Sequence, residues 1–530
     1  MFKVDEFSLK LAIRHLCRYG DTDIFPHLPE LAFLSDAEDQ IVSELSNLDL
    51  DSYTPHGSLE ALSPKSRYGF RIVHQLQYLD TLLFLACVVQ IGDRIEAKRQ
   101  PQRLARTFSY RFSADLELGQ IFRKDRTFKD WLNRQNNILE KNGKYKSVVC
   151  TDISDFYSRI NFHRLENLLD DVAPGEGSSR FIKKLIKVIR AKQSFGIPVG
   201  GSAARLLAEL ALLDTDQALK DQGLKTSRFV DDFRVFLDDT GNPYEVLGFL
   251  AEQLGINEGL SLNVAKTNVV SRAEYLKKLD HLTKDVAEEA EGVALDVLTA
   301  EIYFDEEPDE EDIEKLKALN IVYLLEKEIA VEDWDMGRIK VIFRALKITK
   351  PPKAITYIKK NLKSLTVFAK ELCLLMEVLE EDNPGCFDDQ IDEIMDAILT
   401  PPAATIQVIR SWLLEIFVRG IIDMPLTRLK DLETLSAVAD KRQVLLIRGR
   451  NRDTNFFRMQ KTKIYQYSEF ERPILVWGAS CLPRDEYNNW IDSVKTRFND
   501  PLGKLFLSWA KSNYNDLFSK LKKTTIDHPS

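Results

Sequence analysis

Apolar residues run almost unbroken through Ser147-Val148-Val149-Cys150-Thr151 and stop at Asp152. A short apolar run ending in a carboxylate predicts a buried strand with an acid at its tip. Two further apolar runs, Arg228-Phe229-Val230 and Phe233-Arg234-Val235-Phe236-Leu237, enclose Asp231-Asp232. That spacing predicts a tight hairpin carrying adjacent carboxylates at its turn. Between them, Phe195-Gly196-Ile197-Pro198-Val199-Gly200-Gly201-Ser202 reads as a Gly/Pro loop opening a long helix over 203–220. Gly259 to Val270 alternates in a strand-like way. Residues 1–93 read as helical, with one stripe at Leu9, Ala12, Ile13, Leu16 and Cys17 and a long helix from Tyr68 to Ile91. Past Glu314 helical segments recur, broken at Pro351-Pro352, Asn383-Pro384-Gly385, Pro401-Pro402, Pro473 and Pro483, with buried cores expected at Gln443–Arg448 and Ile474–Trp477.

The 530 residues suggest two or three domains, and 44% hydrophobic with 29% charged residues is ordinary globular composition. No apolar run approaches a membrane span, no signal-peptide core follows Met1, and six scattered cysteines outline neither a disulfide framework nor a zinc site. A soluble cytoplasmic protein is expected. The net charge of −9 hides its distribution. From Arg94 to Lys146 there are fourteen Lys/Arg against six Asp/Glu, interleaved with Phe108, Tyr110, Phe112, Phe122, Phe128 and Trp131. Cations for phosphates and rings for stacking suit a nucleic-acid channel, although a solvated charged face accounts for part of the set. Asp280 to Glu314 holds fifteen acids and one base, Lys284, and reads as a solvated linker. The basic helix Arg180–Arg190 suits either nucleic acid or an exposed helix face.

Side-by-side carboxylates repel, so a fold keeps them chiefly where they share a cation. The ordered set of a strand ending in Asp152, a glycine loop opening a helix, and a hairpin bearing Asp231-Asp232 resembles motifs A, B and C of reverse transcriptases. Phe229 stands where these enzymes more often have Tyr. The resemblance implies an α+β right-hand polymerase, with fingers and an antiparallel palm sheet. It implies Mg²⁺, or Mn²⁺, held at Asp152, Ile153, Asp231 and Asp232, with dNTPs as substrates. Two such ions about 3.5–4 Å apart stabilise both the attacking and the leaving oxygen of a phosphoryl transfer.

By the same resemblance, Tyr157 falls on the steric-gate position that excludes a ribose 2′-hydroxyl. Phe156 lies beside it, and Asp155 lines the triphosphate pocket. Gly196 and Gly200 admit close approach of template or base, Gln193 contributes to nucleotide selection, and Arg111 or Arg123 holds the triphosphate. Lys266, in the segment similar to motif D, is the proton donor to pyrophosphate. The bland readings are core aromatics for Phe156 and Tyr157, a strand-end charge for Asp155 and a solvated lysine for Lys266.

Tyr19-Gly20-Asp21-Thr22-Asp23-Ile24-Phe25 matches a stretch near the start of bacterial defence-associated and abortive-infection reverse transcriptases, which carry helical-repeat extensions. The expected division is an N-terminal helical region (1–93), fingers and palm (94–279), an acidic linker (280–314) and an all-α helical-repeat domain (315–530). The resemblance implies antiphage DNA synthesis by a homo-oligomer, either copying a non-coding RNA or template-free and primed on a protein tyrosine. Tyr19, Tyr53, Tyr68, Tyr465, Tyr467 and Tyr514 are the priming candidates. A catalytically silent nucleotide sensor whose helical domain signals is the competing reading.

Overall fold

The computed structural model describes residues 1–104, 106–190, 193–283 and 310–523. Most of the expected acidic linker lies outside the described residues. Among the described residues eight strands form three antiparallel sheets: β1 (Ser58–Pro64) with β2 (Phe70–Leu76), β3 (Phe112–Asp115) with β4 (Gln120–Phe122), and a four-stranded sheet. The last runs β6-β7-β5-β8, from Lys225–Phe229, Asp232–Leu237, Ser147–Asp152 and Asn268–Ser271. This is the palm expected from the sequence, and an all-α region follows it.

The central position of β5 explains its unbroken apolar run. It pairs with β7 on one edge and β8 on the other. Helices cover both faces. Trp131, Leu132 and Leu139 of the helix Phe128–Lys141, with Tyr275 and Leu279 of the helix Arg272–Thr283, pack on Val148, Cys150 and Phe236. Val149, Val235 and Leu237 face Val246 of the helix Pro243–Glu252. A strand flanked and covered in this way is apolar on both faces through its middle, here Val148, Val149 and Cys150. Thr127 starts the helix Phe128–Lys141 with a reciprocal capping box to Asp130.

Three expectations are corrected. The helix drawn from Tyr68 begins only at Tyr78, because Phe70–Leu76 is strand β2 and pairs with β1. Arg71, Ile72 and Val73 lie in that strand, whose β-branched pair suits a hairpin better than a helix. The single helix over 203–220 is two, Ser202–Ala211 and Leu213–Asp221, broken at Leu212. The strand expected over 259–270 shrinks to β8. Gly259 adopts φ +69°, and Val264–Lys266 is a 3₁₀ turn. That left-handed glycine ends the preceding helical turn before pairing begins.

In the all-α region five helices pack in series, each on the one named after it: Met336–Thr349, Ala369–Asp382, Gln407–Arg419, Val438–Arg450 and Arg472–Gly478. The two apolar runs expected as buried helical cores lie in the last two of these. The array also grips the N-terminal segment. Trp412 donates its indole N–H to the Ile24 carbonyl at 2.7 Å, Arg442 pairs with buried Glu30 at 2.9 Å, and Trp509 donates to Asp36 at 2.9 Å. Phe33 meets Phe506 edge-on at 5.4 Å.

Candidate active site

Antiparallel pairing of β5 and β7 sets Asp152 directly opposite Asp232. Opposed side chains on such a ladder have Cβ atoms about 4.5–5.5 Å apart. The turn adds Asp231, whose carbonyl accepts the Ile153 N–H at 3.2 Å. Three aspartates separated by up to eighty positions thus meet at one edge of the sheet. Burial, and then the charges of Asp152 and Asp232, push the Asp231 carboxyl up to about 7. That crowding is what a shared cation would relieve.

Lys266 reaches the same place. Its Nζ lies 2.9 Å from Asp152 Oδ2. Burial works against its charge, yet the hydrogen bond and charge of Asp152 prevail and raise its pKa. Asn263, which the sequence did not single out, donates its side-chain N–H to the same oxygen at 3.3 Å and its backbone N–H to the Asp152 carbonyl at 2.7 Å.

The turn is held in an unusual conformation. Val230 has φ +52°, a left-handed value that a β-branched residue adopts only when its surroundings enforce it. Ser109 Oγ accepts the Val230 N–H at 2.7 Å, and Arg228 donates to its carbonyl at 2.6 Å. Ser109 in turn donates to Glu209, which Arg99 and Arg228 clamp at 2.7 and 2.9 Å. Asp216 completes the pairing of Arg228. All of these groups are buried. Burial disfavours an ionised Glu209, but the two guanidinium groups hold its pKa below the usual value. Phe229 packs its ring on Phe128 and Trp131 at 5.3 and 5.7 Å. Sequence inspection missed this network because its members are far apart along the chain.

Tyr157 stands half-buried, its carbonyl accepting the Ile197 N–H at 2.9 Å. Burial, with Tyr110 and Asp231 among its electrostatic neighbours, raises its pKa well above the ordinary phenol. Arg205 lies over the Tyr110 ring at 5.4 Å. The glycine loop rests on the stretch at residues 20–24. Gly200 has φ +108°, and a Cβ there would lie 2.5 Å from Thr22 Oγ1. Asp23 pairs with Arg205 at 3.1 Å and gives its carbonyl to Lys370 at 2.7 Å. His15 binds Ser202 Oγ at 2.8 Å and the Gly119 carbonyl at 3.0 Å. Burial above all pushes His15 down to about 4, so the ring is neutral.

The remaining expected residues lie in varied places. Phe156 is core. Asp155 is exposed, at φ +48°, and pairs with Lys65 at 2.9 Å. Gln193 is exposed, and Gly196 (φ +92°) backs onto Arg190. Arg111 turns inward: Glu96, the Gln100 carbonyl and Thr107 Oγ1 engage its guanidinium. Arg123 is held by Asp125 at 2.7 Å. In the basic helix Gly177–Ile189, Arg180 and Lys183 pair with Asp51 and Asp170.

No three His, Cys, Asp or Glu side chains among the described residues form a preformed cation cage. The expected set at Asp152, Ile153, Asp231 and Asp232 includes a backbone carbonyl, and the Lys266 ammonium lies against the Asp152 oxygen. The donors nevertheless fit a hard divalent ion. They are carboxylate oxygens and a backbone carbonyl, the hard oxygen ligands such an ion prefers.

Residues 93–289 match the reverse transcriptase (RNA-dependent DNA polymerase) family. That match takes in the four-stranded sheet and its helices and ends before the all-α region. No curated protein matches it. Among solved structures, apo telomerase from Candida tropicalis is 12% identical with a TM-score of 0.33, over 72% of this chain and 74% of that one. Telomerase from Candida albicans in complex with a fragment of telomeric RNA is 11% identical with a TM-score of 0.31, over 72% and 70%. The Candida tropicalis enzyme with such a fragment is 14% identical with a TM-score of 0.34, over 68% and 64%. No helix among the described residues is long and apolar enough to cross a membrane.

Proposed function

We propose that this chain is a metal-dependent DNA polymerase that joins a 3′-hydroxyl to the α-phosphate of a deoxynucleoside triphosphate. The reading is carried by one observation: Asp152 and Asp232 oppose each other across the ladder with Asp231 beside them at the turn, so that three carboxylates converge. Asp152, Asp231 and the Ile153 carbonyl would hold Mg²⁺, with Asp232 supporting the site. Bound there, divalent ions supply charge stabilisation to the attacking and leaving oxygens. The protein's own groups do the rest. Tyr157 presents its ring beneath the sugar and crowds a 2′-hydroxyl. Gly196 and Gly200 let the template or base approach the backbone. Lys266 leaves Asp152 when the site fills and gives a proton to the departing pyrophosphate.

The finer reading is antiphage DNA synthesis by a homo-oligomer in the bacterial cytoplasm, with residues 315–530 acting as a helical-repeat domain. It rests on the stretch at Gly20–Asp23 and on the helical array that grips it. Synthesis there copies a bound non-coding RNA or extends a protein tyrosine. Purified protein incubated with each labelled dNTP and Mg²⁺, with products resolved before and after protease and RNase, tests this. Metal-dependent incorporation, lost in Asp231→Ala/Asp232→Ala, is expected. Products that migrate with the polypeptide until protease is added indicate protein priming, and a defined sequence lost on RNase pretreatment indicates a bound RNA. Full biological activity of the double variant would instead favour the sensor.

A further inference from the structure

A cavity of about 350 Å³ lies far along the chain from the aspartates, between the segment before β1 and the last helices. Ligand pockets generally begin at about 300 Å³. Carboxylates at and behind one part of its lining already have partners. Asp80 is fully buried and accepts from Tyr53 Oη at 2.8 Å and from the His56 backbone at 2.7 Å. His56 places Nδ1 at 3.2 Å from Asp80 and Nε2 at 3.0 Å from Glu469. Burial works against a charged ring, yet the two carboxylates beside it raise its pKa. Asp500 takes the Leu502 N–H at 3.0 Å and the Tyr78 hydroxyl at 3.3 Å.

Another part of the lining is not satisfied. Arg472 and Arg497 line the cavity, and neither has a carboxylate partner among the described residues. Arg472 donates one Nη to the Arg497 carbonyl at 3.2 Å, while its Nε is buried with no acceptor. That nitrogen is a donor which an anion in the cavity can take up. The Arg497 guanidinium and the uncommitted donors of Arg472 suit an anion with several oxygens, and phosphate geometry fits a guanidinium fork.

We propose that this cavity binds a phosphorylated small molecule, its phosphate seated on Arg472 and Arg497. The site is independent of the polymerase reading. Because it is built from both ends of the chain, an occupant ties the N-terminal segment to the helical array.

The test uses the full chain in EDTA, so that metal-dependent binding at the aspartates is silent. Orthophosphate, pyrophosphate and dATP are titrated by calorimetry, with thermal shift in parallel. Saturable binding of at least one is expected, retained in Asp231→Ala/Asp232→Ala and weakened at least about tenfold in Arg472→Gln/Arg497→Gln, as loss of two charge-assisted bonds requires. Arg472 also holds a backbone carbonyl, so the double variant can loosen the fold. Arg497 is exposed, and Arg497→Gln alone is expected to keep the wild-type melting temperature while weakening binding at least threefold. Tighter binding of dATP than of pyrophosphate identifies a nucleotide. Equal binding identifies the phosphate group alone. The proposal fails if no probe saturates, if Arg497→Gln binds like wild type, or if the aspartate variant abolishes binding.

Discussion

At Tyr157, Val230, Asp231 and His15 the physical demands can be weighed one side chain at a time. Tyr157→Ala removes the ring next to Tyr110 and Asp231, and deoxy-over-ribonucleotide selectivity is expected to fall at least tenfold. Parallel incorporation assays with dNTPs and NTPs measure this, and unchanged selectivity refutes the steric role. His15 gives the pH dependence. Its folded pKa lies near 4, below the ~6.5 of an unfolded histidine, so the unfolded chain takes up the proton first. Its contribution is therefore complete above about pH 6.5 and is lost as pH falls toward 4, by roughly 3 kcal/mol at most. His15→Gln keeps a hydrogen-bonding group and does not titrate. Urea midpoints at pH 7 and pH 5 are expected to fall further for wild type than for this variant. An equal fall in both would show that burial of His15 is not coupled to folding. Asp152 and the Asp231-Asp232 pair were legible in the sequence because a strand end and a hairpin tip are local patterns. Ser109, Glu209 and Asn263 were not, because nothing near them in the chain marks their contacts.

Among the elements, the glycine loop shows how one segment depends on another. Its geometry is set from beneath by residues 20–24, which are themselves fastened by Lys370 and Trp412. Gly200→Ala combines a disfavoured φ of +108° with a Cβ 2.5 Å from Thr22 Oγ1, so the loop must shift. Nucleotide incorporation is expected to drop at least tenfold while the chain remains folded by circular dichroism. Near-normal incorporation would mean that the loop does not position nucleotide or template. The sequence predicted the loop, the palm strand and the hairpin correctly. It misjudged Phe70–Leu76, since the apolar helix beginning at Tyr78 masks the period-two pattern of the strand before it. It also ran a helix through Leu212, where the leucine spacing carries on although the backbone breaks.

For the whole molecule, the helical array and the N-terminal segment form one packed unit through Glu30, Asp36, Phe33 and Trp412. Arg442→Ala would strand the buried Glu30 carboxylate, a change that costs about 3–5 kcal/mol in comparable pairs. A marked fall in melting temperature is expected, and a shift under a degree or so would show that water reaches Glu30. A fragment ending at residue 283 exposes Phe33 and the Ile24 carbonyl, and is expected to be recovered aggregated or protease-sensitive. A stable, cooperatively melting fragment would contradict the dependence. By itself the sequence determined the chemistry: which carboxylates end strands, where glycine is required and which stretch is basic, because hydrophobic period and turn residues are written locally. Only the tertiary structure decided what surrounds that chemistry. Lys266 and Asn263 on Asp152, the buried clamp on Val230 and the helical array beneath the glycine loop all join residues distant in the chain, and their pairing follows from burial and charge compensation that exist only once the chain has closed.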